Sequence, residues 1–323
     1  MADCVGLCSL CNQLGLCLFF VGLLASAQSS SQGSFAQIAS GSGITTTIVL
    51  VNTGGVPAHT HVGFYVDEGG PLSLPLTLPQ TGISMNTSSL NQTIAPNATF
   101  IAVSTEPSNL PPLVGSARVT SDGRVDGFVI YHFAWSGQEA IVPMETRAAS
   151  AYMLPFVNPP FGSTGIAIAN TATGNVDVSV WMQVGGTYIG LGTLTVPASG
   201  HTSFVLDQKF PSTTWLPTSI IQFRAPTAGQ ISVIGLTFDP LGHTTALPVL
   251  TDATPFSGSV AQIATGDGIG TAIVLRNIGS AAANMHVRFF ADDGSPLSVA
   301  GGATGCSPSV GFFSSIDRTF GPA

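Results

Sequence analysis

The chain has 323 residues, 44% of them hydrophobic and only 7% charged, with 8 basic against 16 acidic side chains and a formal net charge of −8. Such apolar content argues against an intrinsically disordered chain, which is charged and poor in large apolar groups. Lys209 is the only lysine, so there is no basic patch to neutralise phosphates, and neither nucleic acid nor an anionic membrane surface is expected as a partner.

The chain opens on a leader. Leu14 to Ala25 form an apolar stretch of signal-peptide length, and Ala25-Ser26-Ala27 supplies a small-x-small cleavage site. The expectation is a signal peptide over residues 1–27, although Asp3 stands in a segment that normally carries Lys or Arg. The rival reading, a membrane anchor, needs roughly 20 apolar residues. Nothing after Ser29 reads as a membrane span. Cys4, Cys8, Cys11 and Cys17 all lie in the leader, so cleavage leaves Cys306 alone and no internal disulfide.

Residues 36–52 (AQIASGSGITTTIVLVN) and 261–277 (AQIATGDGIGTAIVLRN) agree at 12 of 17 positions, at an offset of 225 residues. The match continues from His61–Leu74 to His286–Val299. A fainter middle copy aligns Gly165–Thr171 with Thr47–Thr53. The 225-residue period thus holds two related halves of about 100 residues, the size of one β-sandwich.

Alternation assigns the strands. Ile48 and Leu50 face one way, and Thr47, Val49 and Val51 the other. Val62, Phe64 and Val66 point inward on the next strand, with Val178, Val180 and Met182 as their middle-copy counterparts. In the third copy Ile273 and Leu275, then Val287, Phe289 and Ala291, take the same places. Asp67-Glu-Gly-Gly-Pro71 and Asp292-Asp-Gly-Ser-Pro296 read as tight hairpin turns. Residues 80–114 read as a long connection with one or two edge strands. No helical periodicity follows the leader.

The expected fold class is all-β: tandem immunoglobulin-like β-sandwiches after an N-terminal signal peptide. The domains are 1–27 signal peptide, 33–147 sandwich 1, 151–250 sandwich 2 and 256–323 a truncated third copy. The tail from Cys306 to Ala323 no longer matches the first copy. A truncated copy leaves apolar side chains without a facing sheet. It is expected to pack on a complete sandwich or to drive self-association.

The runs F-A-Q-I-A-x-G-x-G, I-V-L-V-N-T-G, D-x-G-x-P-L, G-Q-E-A-I-V-P-M-E-T-R, P-A-S-G-H-T-S-F and G-Q-I-S-V-I-G-L-T-F resemble a module of exported, mostly uncharacterised proteins of acidobacterial-type soil bacteria. The resemblance spans Phe35 to about Val299. It implies tandem immunoglobulin-like sandwiches, secreted or at the cell surface, and supplies no catalytic residues.

Candidate sites are few. His59-Thr-His61 would project two imidazoles from one strand face, as some metal sites require. The third copy has Asn284 and His286 there, no third ligand is evident, and the pair reads as a polar strand face. Asp67-Glu68 and Asp292-Asp293 offer two carboxylates per turn where calcium wants six or more oxygens. Glu139 and Glu145, near Asp122 and Asp126, could form a glycosidase pair only if they faced each other, and His243 falls near the place of Glu139 in the middle copy. Gly266-Asp-Gly-Ile-Gly270 is not followed by a helical pattern, and no nucleophile elbow or zinc-protease motif occurs. No catalytic residue, metal or cofactor is expected. Asn86, Asn91 and Asn97 begin glycosylation sequons, which matter only in a eukaryotic secretory route. Trp135, expected at a hairpin tip, and Trp215, in a Pro-flanked loop, are the candidate ligand contacts. The expected function is a non-catalytic extracellular or cell-surface structural or adhesion module, its partners surface polymers or other proteins. The alternative is carbohydrate or polymer binding through loop aromatics.

Overall fold

The computed structural model describes residues 30–105, 111–156, 162–184, 187–216, 219–252, 258–264, 271, 273, 275, 277, 281–301, 311–313 and 315–320. Residues 1–29, where the signal peptide is expected, Cys306 and the glycine run at 266–270 lie outside them. The described chain is all-β and antiparallel, of the β-sandwich class.

The first ten strands are β1 (Ser31–Ser40), β2 (Ile44–Asn52), β3 (Ala58–Tyr65), β4 (Leu74–Leu78), β5 (Ile83–Thr87), β6 (Ser89–Ile94), β7 (Thr99–Ser104), β8 (Leu113–Ser121), β9 (Val125–Phe133) and β10 (Gln138–Pro143). They form a four-stranded sheet in the order β1-β8-β3-β6 and a six-stranded sheet in the order β10-β9-β2-β7-β4-β5. Period-2 alternation puts Ile48 and Leu50 of β2 and Val62 and Phe64 of β3 into one core between the sheets, with Leu74, Leu76 and Tyr131. Full burial of each such side chain contributes about 1.5–3 kcal/mol. Residues 80–114 hold more sheet than expected: β7 is an interior strand, because Phe100 and Ala102 face the core within a Ser- and Thr-rich segment. The turn after Asp67 is a tight antiparallel turn, closed by Val66 N–H to the Gly70 carbonyl and Leu72 N–H to the Phe64 carbonyl. It carries the chain from β3 in one sheet to β4 in the other.

The second unit comprises β11 (Ala151–Pro155), β12 (Ser163–Asn170), β13 (Val176–Val184), β14 (Thr187–Val196), β15 (His201–Val205), a single helical turn α1 (Leu206–Lys209), β16 (Ile220–Arg224), β17 (Ile231–Phe238), β18 (Thr244–Leu247) and β19 (Leu250–Thr251). Its sheets run β14-β13-β16-β11-β19 and β15-β12-β17-β18. The strand order repeats the first unit: β11-β16-β13-β14 corresponds to β1-β8-β3-β6, and β18-β17-β12-β15 to β10-β9-β2-β7. The first unit adds the β4–β5 hairpin, and the second adds β19. Val178, Val180 and Met182 enter its core with Tyr152, Ile168 and Phe223.

One side chain explains why the repeated strand ends in Asn. Asn52 is fully buried; its Nδ2 donates to the carbonyls of Val56 and Ile94, and its Oδ1 accepts from Gly54 N–H. Asn170 donates to Gly174, Val196 and Pro197 and accepts from Ala172. Asn277 donates to Ala281, again four residues on. The amides of Asn52 and Asn170 supply the hydrogen bonds that a buried strand-to-loop exit would otherwise lack. Thr46 clasps both backbone groups of Ala39, and Thr271 does the same to Ala264 at the 225-residue offset.

The third copy contains β20 (Ala283–Arg288), β21 (Val299–Gly301), β22 (Gly311–Phe313) and β23 (Ser315–Phe320). β20 pairs with β23 and β21 with β22, as β3 pairs with β6 and β4 with β5. The turn at Asp292 repeats the hydrogen bonds of the turn at Asp67, with Gly294 at φ +81° and Gly69 at φ +85°. The expectation that the copy ends before its tail is therefore corrected. Ser315-Ile-Asp-Arg-Thr-Phe320 stands where Ser89-Leu-Asn-Gln-Thr-Ile94 stands, displaced by one residue from the 225 offset. Ile273 and Leu275, expected on a core strand, are respectively exposed and half-buried, and the described residues of 271–277 carry no strand. Phe289 is buried.

Candidate functional site

Three features stand out: the junction between the two complete units, a set of exposed aromatics, and a histidine-bearing sheet face. The junction draws on runs singled out in the sequence: Gln37 of F-A-Q-I-A, Asp67 of D-x-G-x-P-L, Gln138 of G-Q-E-A and His201 of P-A-S-G-H. The apolar cluster of the first core continues into the second unit through Ala167 and Ala169 of β12 and Ile234 of β17, with Leu236 and Ala246 packed beside them. At its edge the imidazole of His201, fully buried, places Nδ1 2.7 Å from Asp67 Oδ1 and Nε2 2.9 Å from Gln37 Oε1. The backbone N–H of His201 donates to the Asp67 carbonyl. Arg118 stacks on Tyr65 and donates to the Asn170 carbonyl and Ser199. Gln138 Oε1 accepts from Thr244 N–H. Two glycines permit this approach: a Cβ on Gly69 would lie 1.9 Å from the Ala198 oxygen, and one on Gly200 2.4 Å from the Asp67 oxygen.

Trp135 occupies the tip between β9 and β10 and is 56% exposed, its ring tilted against Phe133 at 5.2 Å. Trp215 instead stacks on Phe156 at 4.5 Å and packs against the second core, an anchoring position. A third tryptophan escaped the sequence reading. Trp181 lies on the outer face of β13, 37% exposed, its ring over Gly190 of β14. Tyr188, opposite Gln183, shares that face and is also exposed. The alternation that buries Val180 and Met182 already points Trp181 outward, and an outward aromatic is the informative exception.

The outer face of β3 carries His59 and His61. His59 Nδ1 lies 2.8 Å from Asp122 Oδ2, and its backbone N–H donates to Asp122 Oδ1. That contact holds the exposed Asp122 carboxyl below its ordinary pKa. His61 Nδ1 lies 2.8 Å from Asn91 Oδ1. A shallow groove of about 470 Å³ runs over this face, lined also by Gln32, Thr93 and Thr120.

Most of the other carboxylates weighed in the sequence are engaged. Asp67 belongs to the junction. Glu139 faces His132 at 3.8 Å, whereas Glu145 grips Arg147 through two bonds, and Arg147 reaches the Val249 carbonyl. Asp126 accepts from Gly127 N–H, and His243 is held by Asp239 within its own turn. Asp293 accepts from Ser295 N–H in its turn. No helix among the described residues is long and apolar enough to cross a membrane. No family model, curated protein or solved structure matches the chain.

Proposed function

We propose that this chain is a non-catalytic structural or adhesion module, secreted or at the cell surface, built from tandem immunoglobulin-like sandwiches. The observation that carries the reading is the junction. An apolar cluster running through both units, a buried histidine bonded across them and two glycines at backbone contact fix two sandwiches as one body. A jointed enzyme that opens and closes has no use for such a weld, whereas a spacer that holds a surface at a set distance and angle does. The shared strand order of the two units, the recurrent Asn52, Asn170 and Asn277, and the 225-residue sequence repeat support an origin by duplication. Repetition adds length and valency. The resemblance to exported modules supports the location. The test is a broad screen of the purified chain against hydrolase and transferase substrates. No turnover is expected, and a robust turnover abolished by a point substitution would overturn the proposal.

A second reading, recognition of a carbohydrate or other polymer, is favoured by one observation: Trp135 at the β9–β10 tip and Trp181 beside Gly190 are both open to solvent. Flat exposed aromatic rings suit stacking on sugar faces. Glycan-array binding by the full chain that disappears in Trp135→Ala or Trp181→Ala would establish this reading, and blank arrays would remove it.

A further inference from the structure

We propose that His59 and His61 form a binding site for a divalent transition-metal ion, ligated through Nε2 of both rings. The inference is independent of the adhesion reading. Residues i and i+2 of a strand project from the same face about 6.5–7 Å apart. Two imidazoles at that spacing can lean onto one ion at the 2.0–2.1 Å bonds that nitrogen makes to zinc.

The hydrogen bonds supply the second argument. Asp122, as a carboxylate, only accepts, so His59 carries its proton on Nδ1 and keeps a lone pair on Nε2. Asn91 Oδ1 also only accepts, which leaves His61 with a lone pair on Nε2. Both rings are thus held in the tautomer that ligation through Nε2 requires, each by the kind of outer partner that orients metal-binding histidines. Among the described residues neither Nε2 has a hydrogen-bond partner, and both rings line the open groove.

The third copy provides an internal contrast. His286 stands at the position of His61, but its Nε2 is engaged by Arg288 at 2.9 Å. In the first copy the corresponding residue is Gly63, which leaves Nε2 of His61 uncovered. The position of His59 is Asn284 in the third copy, so the pair exists only once.

The described residues contain no group of three or more His, Cys, Asp or Glu able to hold a metal. The site is therefore an open two-nitrogen site whose other positions go to water or to a donor from outside the chain. Neutral imidazole suits copper, nickel and zinc, and affinity should follow that order of stability, Cu²⁺ above Ni²⁺ and Zn²⁺. Mg²⁺ and Ca²⁺, which demand oxygen ligands, should not bind here.

Calorimetric titration of the full chain with Cu²⁺ and Zn²⁺ tests the proposal against the double variant His59→Asn/His61→Asn. Sites elsewhere, thiols included, persist in the variant and cancel in the difference. The wild-type chain is expected to take up one more equivalent, and Asp122→Asn should weaken that site 10- to 100-fold. Both histidines are exposed, so the variants should keep their circular dichroism. As a readout that needs no variant, substoichiometric Cu²⁺ should broaden the imidazole resonances of His59 and His61 before those of His132 and His243. Equal uptake by wild type and double variant, or broadening led by another histidine, would overturn the proposal.

Discussion

His201 and Asp67, 134 residues apart in the chain, meet at 2.7 Å across the boundary between two sandwiches, with the imidazole wholly out of solvent. The contact joins the P-A-S-G-H run of the second unit to the D-E-G-G turn of the first, so two runs that carry the family resemblance meet as the two halves of one joint. Replacing His201 by Ala leaves Gln37 without its partner and opens a void. His201→Ala is expected to lower the unfolding free energy by about 1–3 kcal/mol in urea titrations. Its effect should fall on the orientation of the two units as well as on stability.

Glycine at 69 is required by space as well as by φ. Gly69 and Gly137 both have positive φ, but a Cβ at Gly137 meets nothing within 4 Å, whereas one at Gly69 would sit on the Ala198 oxygen. Gly137→Ala should cost about 1–2 kcal/mol from backbone strain alone. Gly69→Ala should cost clearly more, because the junction must part to admit the methyl group. Thermal melts of the two variants, compared directly, check this.

The buried Asn amides should be far more sensitive than their neighbours. Asn52→Ala strands the buried Ile94 carbonyl and frees the part-buried Val56 carbonyl and Gly54 N–H, and a loss of about 1–3 kcal/mol is expected. Asn52→Asp should not rescue it, since a carboxylate cannot donate to the two carbonyls. Asn170→Ala should behave alike in the second unit. Urea midpoints of the three variants test the equivalence.

Stability should fall steeply in alkali. Burial pushes the Tyr131 phenol far above its ordinary pKa of 10.0, and Tyr152 is likewise raised, first by burial and then by Glu145. A group whose folded pKa is raised favours the folded state fully below the unfolded pKa, and that contribution is lost as pH rises toward the folded value. Unfolding free energy should therefore be flat with respect to these groups below about pH 9 and decline above about pH 10. Tyr131→Phe should reduce the slope in that window, measured by urea titration at successive pH values.

Much of the core was legible because alternation is local. Ile48, Leu50, Val62, Phe64, Val178, Val180 and Met182 all lie where their periodicity puts them. Trp181 was legible on the same ground, as the outward member of a run whose inward members were assigned. The strand β7 was less so, since Thr99-Phe-Ile-Ala-Val-Ser104 sits in a polar segment, and only its pairing between β2 and β4 makes it interior. The match of β23 to β6 was hidden by a one-residue slip, which pairing with β20 exposes. The partners of His201 could not be read at all. A histidine in a Gly-His-Thr run has no local signal of burial, and its acceptors come from Gln37 and Asp67, brought close only by the packing of whole sandwiches.

Residues 256–323 should be dispensable for the first two units. Among the described residues, β20 pairs with β23 and β21 with β22, and none of the four strands joins a sheet of the first two units. A chain ending at residue 255 is expected to keep the urea midpoint of the first two units and to show less self-association by analytical ultracentrifugation. Loss of folding in that shorter chain would make the third copy integral to the core.

The central claim is that the junction makes one rigid body of two sandwiches. Residual dipolar couplings of backbone amides in the full chain test it most directly. Couplings from residues 31–143 and from residues 151–251 should fit a single alignment tensor with the strand orientations of the structure, and His201→Ala should split that tensor in two. Two tensors of different magnitude in the unaltered chain would mean that the sandwiches move independently, and would contradict the account.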